Sequence, residues 1–182
     1  MKTYKKNFDL LKKNNVYSED MEHDACGVGL IASTEGKKSR NVVEYGIEAL
    51  KAVWHRGAVD ADGKTGDGAG IHVEIPKDFF IEKIEVTGHT HDNSDICVGM
   101  IFLPRNDYAA QESCKTIVES ELTKNDFNIY GWRQVPVNPK VLGEKAFQTM
   151  PEIIQVLFKP HNKELTNKDL ERKIYETRRK IE

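Results

Sequence analysis

The stretch Glu22-His23-Asp24-Ala25-Cys26-Gly27-Val28-Gly29-Leu30-Ile31-Ala32 decides how the rest of the chain is interpreted. A small residue precedes a cysteine in it, and that cysteine opens an apolar run that contains two glycines. The short run of residues 27–32 predicts a buried strand, because glycine bounds it on one side and a polar turn sequence on the other. The cysteine would then stand at the tip of a strand, in a position where a thiol can act as a nucleophile.

Length and composition restrict the class of protein. A chain of 182 residues is long enough for one domain with a hydrophobic core. With 38% hydrophobic residues, 31% charged residues and a formal net charge of -2, it is typical of a soluble globule and offers no basic surface for nucleic acid. Because no apolar run approaches the roughly 18 residues that span a bilayer, and no secretion signal is visible, we expect a cytoplasmic protein.

Three cysteines, Cys26, Cys97 and Cys114, are widely spaced along the chain. Their spacing is not that of a zinc site, and an odd number fits a reducing compartment better than a disulfide framework. We therefore predict no metal site. Packing in the core is the better interpretation of Cys97 and Cys114.

The first 25 residues differ in character from the rest of the chain. Residues 1–25 are polar, basic at the start and acidic towards the end, with one short apolar patch. This composition predicts a loosely held leader. We accordingly divide the chain into a leader of residues 1–25 and a domain of residues 26–182.

The first half of the domain predicts one helix and a second strand. Ser39 is a plausible N-cap for an amphipathic helix that runs to about Val53. Gly46 inside that helix predicts close packing against the first strand. Residues 69–75 alternate between apolar and polar and predict a strand that Pro76 ends.

The second half of the domain alternates between helical and strand patterns. We predict a short helix at residues 79–81, a central strand over 96–103, a helix over 106–124, strands over 127–136 and 153–158, a short helix over 142–149, and a last helix capped by Thr166. The predicted buried face of the long helix consists of Ala110, Cys114, Ile117, Val118 and Leu122, and that of the last helix of Leu170, Ile174 and Ile181. Irregular spacing of these elements favours layered sheets with flanking helices, an α+β fold, over a parallel doubly wound sheet.

Cys26 has two interpretations from the sequence. It can be a small buried hydrophobic residue, which is the commoner case for a cysteine. Alternatively it is an N-terminal nucleophile that removal of residues 1–25 uncovers. The free α-amine then titrates near 7.7–8.0, so it can accept the thiol proton, and Gly27 permits a sharp turn of the chain.

Other polar groups compete for a functional role. Arg56 can serve as a solvated cation at a helix C-terminus or as a bidentate partner that fixes a backbone or a carboxylate, and His55 is more often a satisfied hydrogen-bonding residue than a base. The glycine-rich loop of residues 63–70 does not match a phosphate cradle, because a strand rather than a helix is predicted after it. The sequence His89-Thr90-His91-Asp92 is better explained as a solvated polar loop than as a metal cluster.

Taken together, several stretches resemble one family. Glu22 to Gly29, His55-Arg56-Gly57-Ala58, Asp62 to Gly70 and Gly131-Trp132-Arg133-Gln134-Val135-Pro136 resemble the class II glutamine amidotransferase domain that begins the glutamate synthase large subunit. Leu142-Gly143, Pro151 with Gln155 and the closing arginine-rich stretch resemble the same family. The longer insert of residues 59–68 favours glutamate synthase over other class II amidotransferases.

The resemblance implies an N-terminal-nucleophile hydrolase with a four-layer αββα sandwich. Cys26 would be the first residue of the mature enzyme, attacking the side-chain amide of glutamine to give a glutamyl thioester and ammonia for glutamate synthesis from 2-oxoglutarate. Arg56 matches the family arginine that positions the nucleophile, and Gly27, His55 and Trp54 complete its neighbourhood. The partners implied are glutamine, the remainder of the large subunit and an NAD(P)H-oxidising small subunit. FMN and an iron–sulfur cluster would bind outside this segment.

The same resemblance predicts a domain that is incomplete on its C-terminal side. The family residues that hold the glutamine α-carboxylate, the α-amine and the oxyanion come later in the fold than Glu182. Since each missing oxyanion donor costs on the order of 10²–10³ in rate, residues 1–182 alone are expected to have negligible glutaminase activity. Two alternatives stay open: a non-catalytic remnant or interaction module of the same fold, and another class II amidotransferase.

Overall fold

The computed structural model describes residues 6, 9, 10, 13, 27–54, 57, 59–66, 68–92 and 94–182. The chain divides into two compact units, residues 1–58 with 66–71 and residues 59–65 with 72–182. Most of the predicted leader, and Cys26 itself, lie outside the described residues.

The first unit contains helix α1, Arg40–Ala52. Ser39 is its N-cap, as predicted, and accepts a 3.2 Å hydrogen bond from the Asn41 backbone N–H. Gly46 does mark a close approach, because a Cβ there would lie 3.2 Å from Ile71 Cδ1. The prediction of close packing is therefore confirmed, but the neighbour is Ile71 and not the stretch of residues 27–32.

Two predicted strands are wrong. Residues 27–33 and 68–76 have no strand structure. The apolar side chains of the first stretch are exposed, with Val28 at 90% and Leu30 at 89%. A hydrophobic pattern reports which side chains prefer burial, whereas a strand also requires a neighbouring backbone to pair with. Among the described residues, the strands that pair in a sheet come from other segments of the chain.

The second unit is built on a three-stranded antiparallel sheet. Its strands are β1 (Cys97–Leu103), β2 (Phe127–Gln134) and β3 (Glu152–Pro160), in the order β1-β3-β2. β1 was predicted to be central, and that is wrong: in the described sheet it is an edge, with Phe102 largely exposed. β3 is central, and it buries a continuous run from residue 154 to residue 158 because both of its faces are covered.

Five helical segments accompany this sheet: α2 (Lys77–Val86), α3 (Tyr108–Lys124), a 3₁₀ turn (Pro139–Val141), α4 (Glu144–Thr149) and α5 (Asn167–Ile181). Their positions confirm the predicted helices of this half of the chain to within a few residues, although α2 is longer than predicted. Thr166 caps α5 as expected, accepting from the Asp169 N–H at 3.2 Å. The predicted buried face of α3 holds for Val118 and Leu122 but is wrong for Ile117, which is half exposed, while Gln111 is buried.

Helices cover both faces of the sheet in the second unit. On one face, Val156 and Phe158 of β3 pack in a cluster with Val118 of α3 and Leu170 of α5. On the other face, Leu157 packs with residues of α2, among them Phe80 and Ile84. Alternation along β3 produces this division, since successive side chains of a strand point to opposite faces. The unit is therefore an α+β structure with helices on both faces of an antiparallel sheet. The irregular spacing predicted the α+β class, but the strands of the described residues form one sheet and not the layered sheets that were expected.

The helices can also be compared with the length of a membrane span. Among those in the described residues, none combines the length and the apolar content needed to cross a bilayer.

Candidate functional site

The structure describes only some of the residues that were predicted to form the nucleophile site. Cys26, His55 and Arg56 lie outside the described residues. Gly27 is exposed and lies in a stretch without regular secondary structure. Trp54 follows the C-cap of α1, is largely exposed, and its carbonyl accepts a 3.0 Å hydrogen bond from the Gly57 N–H. The functional roles assigned to these residues therefore stay predictions.

The turn of residues 60–65 is closed by its own side chains. The carboxylate of Asp62 accepts from the backbone N–H groups of Lys64 at 2.9 Å and Thr65 at 2.7 Å, and from the Thr65 hydroxyl at 2.6 Å. These bonds lower the pKa of Asp62 from 3.8 to about 2. Because Asp62 already takes two backbone donors of this turn, they are not free to bind a phosphate.

This turn also contacts a segment far away in the sequence. Gly143, just before α4, lies so close to the turn that a Cβ there would be 2.6 Å from the Thr65 backbone nitrogen. Lys145 Nζ lies 2.6 Å from Asp60 Oδ2, an ion pair between residues 85 positions apart. We call the turn of residues 60–65 together with residues 143–145 the clasp. Sequence reasoning missed it, although the turn-forming Asp62-Gly63 pair and a glycine before a short helix were its visible signals.

The histidine-containing loop is a network of charges and hydrogen bonds. Asp92 Oδ2 lies 2.8 Å from both Lys159 Nζ and Lys163 Nζ, and Asp92 also accepts from the Ser94 hydroxyl. Hydrogen bonds from Lys159, Lys163 and Ser94 hold the pKa of Asp92 well below its usual range. His91 Nε2 lies 3.0 Å from the Ser94 carbonyl oxygen. Asp92 is thus occupied by two lysines, and the described residues contain no group of three or more side chains placed to hold a metal ion.

The motif Gly131-Trp132-Arg133 lies on β2, against the central strand. Gly131 adopts a φ of 144°, which a side chain would strain, and follows a bulge in the β2–β3 register. Arg133 Nη1 donates a 2.7 Å hydrogen bond to Gln155 Oε1, its direct partner across the sheet. Two stretches that carried the family resemblance, Gly131 to Pro136 and Gln155, therefore meet in the fold.

The two described cysteines differ in environment. Cys97 is buried at the start of β1, as predicted, and burial raises the pKa of its thiol to about 12. Such a thiol is almost entirely protonated near neutral pH and is a poor nucleophile. Cys114 is half buried on α3. The environment of Cys97 is therefore not that of an activated nucleophile.

Comparison with known proteins decides the family. The family model for class II glutamine amidotransferases matches residues 26–182, beginning at Cys26. The chain belongs to this family. The amidotransferase chain is 52% identical over 98% of its length to the glutamate synthase [NADPH] large chain of Azospirillum brasilense. It is 41% identical over 88% of its length to ferredoxin-dependent glutamate synthase 1 of Arabidopsis thaliana, and 40% identical over 88% to the ferredoxin-dependent enzyme of Cyanidium caldarium.

The amidotransferase chain spans only a small share of these relatives. The matched region covers 12% of the Azospirillum protein and 10% of each of the other two. The similarity is therefore to one region of much longer polypeptides, and what those whole proteins do comes to this chain as a proposal.

Proposed function

We propose that this chain is the glutamine-hydrolysing portion of a glutamate synthase. One observation carries the proposal: the class II glutamine amidotransferase match begins at Cys26 and runs to residue 182, and the relatives that share up to 52% identity with the chain are glutamate synthases. The insert of residues 59–68, which favoured glutamate synthase on sequence grounds, lies inside the matched region.

Cys26 would act as the nucleophile after removal of residues 1–25. Its thiolate attacks the side-chain carbonyl carbon of glutamine, and the thiol proton passes to the α-amine. Collapse of the tetrahedral intermediate breaks the carbon–nitrogen bond, and the α-ammonium returns the proton to the leaving ammonia. Water then hydrolyses the glutamyl thioester, which releases glutamate and restores the thiol. The α-amine suits this exchange because its pKa lies near the working pH.

The surrounding residues would have supporting roles. Arg56 would position the nucleophile with its planar fork of donors, and Gly27 would leave room for substrate at the new N-terminus. His55 and Trp54 would line the same neighbourhood. We further propose that the family's four-layer αββα sandwich is the fold of the whole domain, to which the layered second unit contributes.

Ammonia would be used by other parts of the same enzyme. FMN and an iron–sulfur cluster are proposed to bind elsewhere in the polypeptide, where ammonia meets 2-oxoglutarate. The relatives' names specify NADPH in one case and ferredoxin in others as the electron donor. If this enzyme uses NADPH, the donor in the name of the Azospirillum protein, an NAD(P)H-oxidising small subunit is a proposed partner.

The experiment is a glutaminase assay on the natural polypeptide that carries this sequence. Intact-mass measurement should show Cys26 as the first residue, and Cys26→Ala should abolish glutamine hydrolysis. Cys114→Ala is the matched control and should retain activity, because Cys114 lies on a helix face of the second unit. Retention of residues 1–25 with no hydrolysis would indicate a non-catalytic module, and ammonia transfer to a sugar or phosphoribosyl acceptor would indicate another class II amidotransferase.

A further inference from the structure

We propose that an open part of the sheet in the second unit binds a further segment of the natural polypeptide, one that presents a carboxylate side chain with apolar side chains beside it. The surface consists of Phe79 of α2, Met100 and Phe102 of β1, Arg133 of β2 and Gln155 of β3, and we call it the open face. The inference rests on the proposed function for one point, which is that the chain belongs to a longer polypeptide, since the matched region is 12% of the Azospirillum relative.

Helix α2 covers one half of this side of the sheet and leaves the other half open. Val98 and Leu157 pack in the cluster to which α2 contributes. The side chains two and four positions after Val98 point to the same side, because successive residues of a strand alternate between faces. These are Met100, which is 49% exposed, and Phe102, which is 64% exposed. Large apolar side chains next to each other on an open sheet face indicate a surface that another segment covers.

Arg133, on the same side of the sheet, is a partly buried cation without an anion. The exposed arginines of the described chain each pair with a carboxylate, namely Arg40, Arg172, Arg178 and Arg179. Arg133 is less exposed than these, yet no carboxylate of the described residues lies within ion-pair distance of it. Taking a charge out of water is unfavourable unless an opposite charge compensates it. A carboxylate from a further segment would supply that compensation.

The side chain of Arg133 is oriented, although most of its donors are unused. Its Cζ lies 5.0 Å from the centre of the Phe79 ring, and Nη1 donates a 2.7 Å hydrogen bond to Gln155 Oε1. Because arginine only donates, the Gln155 atom that it faces is the oxygen, and the amide nitrogen of Gln155 is a second donor. Within the part of the chain that the structure describes, neither that nitrogen nor Nε and Nη2 of Arg133 has an acceptor. Oriented donors on neighbouring strands suit the two oxygens of a carboxylate.

A polypeptide segment fits the open face better than a small molecule or a second copy of the chain. Small-molecule sites are concave and enclose most of their ligand, whereas Phe102 projects from an edge strand of the described sheet. The outer backbone groups of that edge can also pair with an added strand. A symmetric contact between two copies would place the same residues on both sides, so it would bring two Arg133 charges together without supplying an anion.

The first test is photo-crosslinking in the natural polypeptide, with Phe102 replaced by benzoylphenylalanine and the products mapped by peptide mass spectrometry. The crosslink should join position 102 to a peptide outside residues 1–182 that contains an aspartate or glutamate beside apolar residues. Tyr175 is the control position, because it is also exposed but lies on α5, which packs on the other side of the sheet. The inference is overturned by crosslinks from position 102 to residues 1–182 or to a second copy, and equally by the absence of any crosslink.

The second test concerns the charge of Arg133. Hydrogen peroxide should oxidise Met100 at least about tenfold more slowly in the natural polypeptide than after unfolding in urea, because the bound segment covers it. Arg133→Gln can still donate to Gln155 but has no charge, and it should raise the native oxidation rate by about fivefold or more. Arg172→Gln is the matched control and should change that rate by less than about twofold.

Oxidation of Met100 at the unfolded rate would overturn the inference. So would a lower melting temperature of Arg133→Gln with unchanged protection of Met100, because Arg133 would then stabilise only its own sheet. Glutamine hydrolysis by the same preparation separates these results from the proposed function. Hydrolysis without a crosslink from position 102 contradicts this inference alone. The expected crosslink without hydrolysis supports this inference and refutes the glutaminase activity.

Discussion

Arg133 on β2 donates a 2.7 Å hydrogen bond to the side-chain oxygen of Gln155, the residue directly opposite it on β3. Gln155 is buried, so its amide oxygen has little access to water if the arginine is removed. A buried polar group that loses its partner costs about 1–3 kcal/mol. We therefore expect Arg133→Met to lower the free energy of unfolding by about 1–3 kcal/mol, measured by urea denaturation.

Two further variants make this measurement specific. Adding Gln155→Leu to Arg133→Met should recover part of the loss, because no unsatisfied amide then remains in the sheet. Arg172→Met is the control, because Arg172 pairs with Glu176 on an exposed face of α5. This variant should lower the free energy of unfolding much less. Equal decreases in the free energy of unfolding for the two arginine variants would contradict the stabilising role assigned to the Arg133–Gln155 hydrogen bond.

Helix α2 offers a matched pair of apolar residues for testing the second core cluster. Ile84 is 0% exposed and packs against the sheet, whereas Val86, two residues later in the same helix, is 82% exposed. Ile84→Ala should lower the free energy of unfolding by about 2–5 kcal/mol, because it removes buried methyl groups and leaves a cavity. Val86→Ala should change it by less than about 0.5 kcal/mol. Comparable losses for the two variants would refute the orientation of α2.

Local rules predicted most of the helices in both units. The N-caps Ser39 and Thr166 and the boundaries of the long helices follow from side chains within one turn of the residues concerned. The order of strands does not follow from such rules. β1 was predicted to be central because its sequence is apolar, yet its position at an edge depends on which strands pair, and the pairing of β3 with both neighbours is a long-range property.

The candidate site was likewise predicted only in part from the sequence. The role of Cys26 came from a motif and from family resemblance, and it stays a prediction because the residue lies outside the described chain. The clasp was not predicted, because Asp60 and Lys145 are 85 positions apart and no local pattern signals that they meet. A turn sequence and a glycine before a helix are each common alone. Only the fold shows that one lies against the other.

Cys97 gives a prediction about thiol chemistry. Its pKa is raised from 9.0 to about 12, mainly by burial, so its thiolate fraction at pH 8 is on the order of 10³-fold lower in the folded protein. Iodoacetamide at pH 8 should therefore label Cys97 far more slowly than Cys114 in the native protein, and at a similar rate after unfolding in urea. Peptide mass spectrometry measures both, and equal native rates would contradict the burial of Cys97.

The same shift has a consequence at alkaline pH. The unfolded thiol loses its proton near pH 9, whereas the folded thiol keeps it to about pH 12. The unfolded state therefore binds fewer protons in this window, and Cys97 makes the protein less stable as pH rises through it. In a Cys97→Ala variant this part of the alkaline destabilisation should be absent. If the melting temperature of this variant depended on pH as it does in the unaltered protein, Cys97 would not contribute to the alkaline destabilisation.

The lowered pKa of Asp62 predicts how the clasp responds to acid. Its folded-state pKa of about 2 lies below the ordinary value of 3.8, so the stabilising effect of its charge is complete above about pH 4 and is lost as pH falls towards 2. The amide resonances of Lys64 and Thr65, which donate to this carboxylate, should titrate with a midpoint near 2 in an NMR experiment. Asp62→Asn should remove that titration. A midpoint at 3.8 in the unaltered protein would mean that Asp62 does not hold the turn in solution.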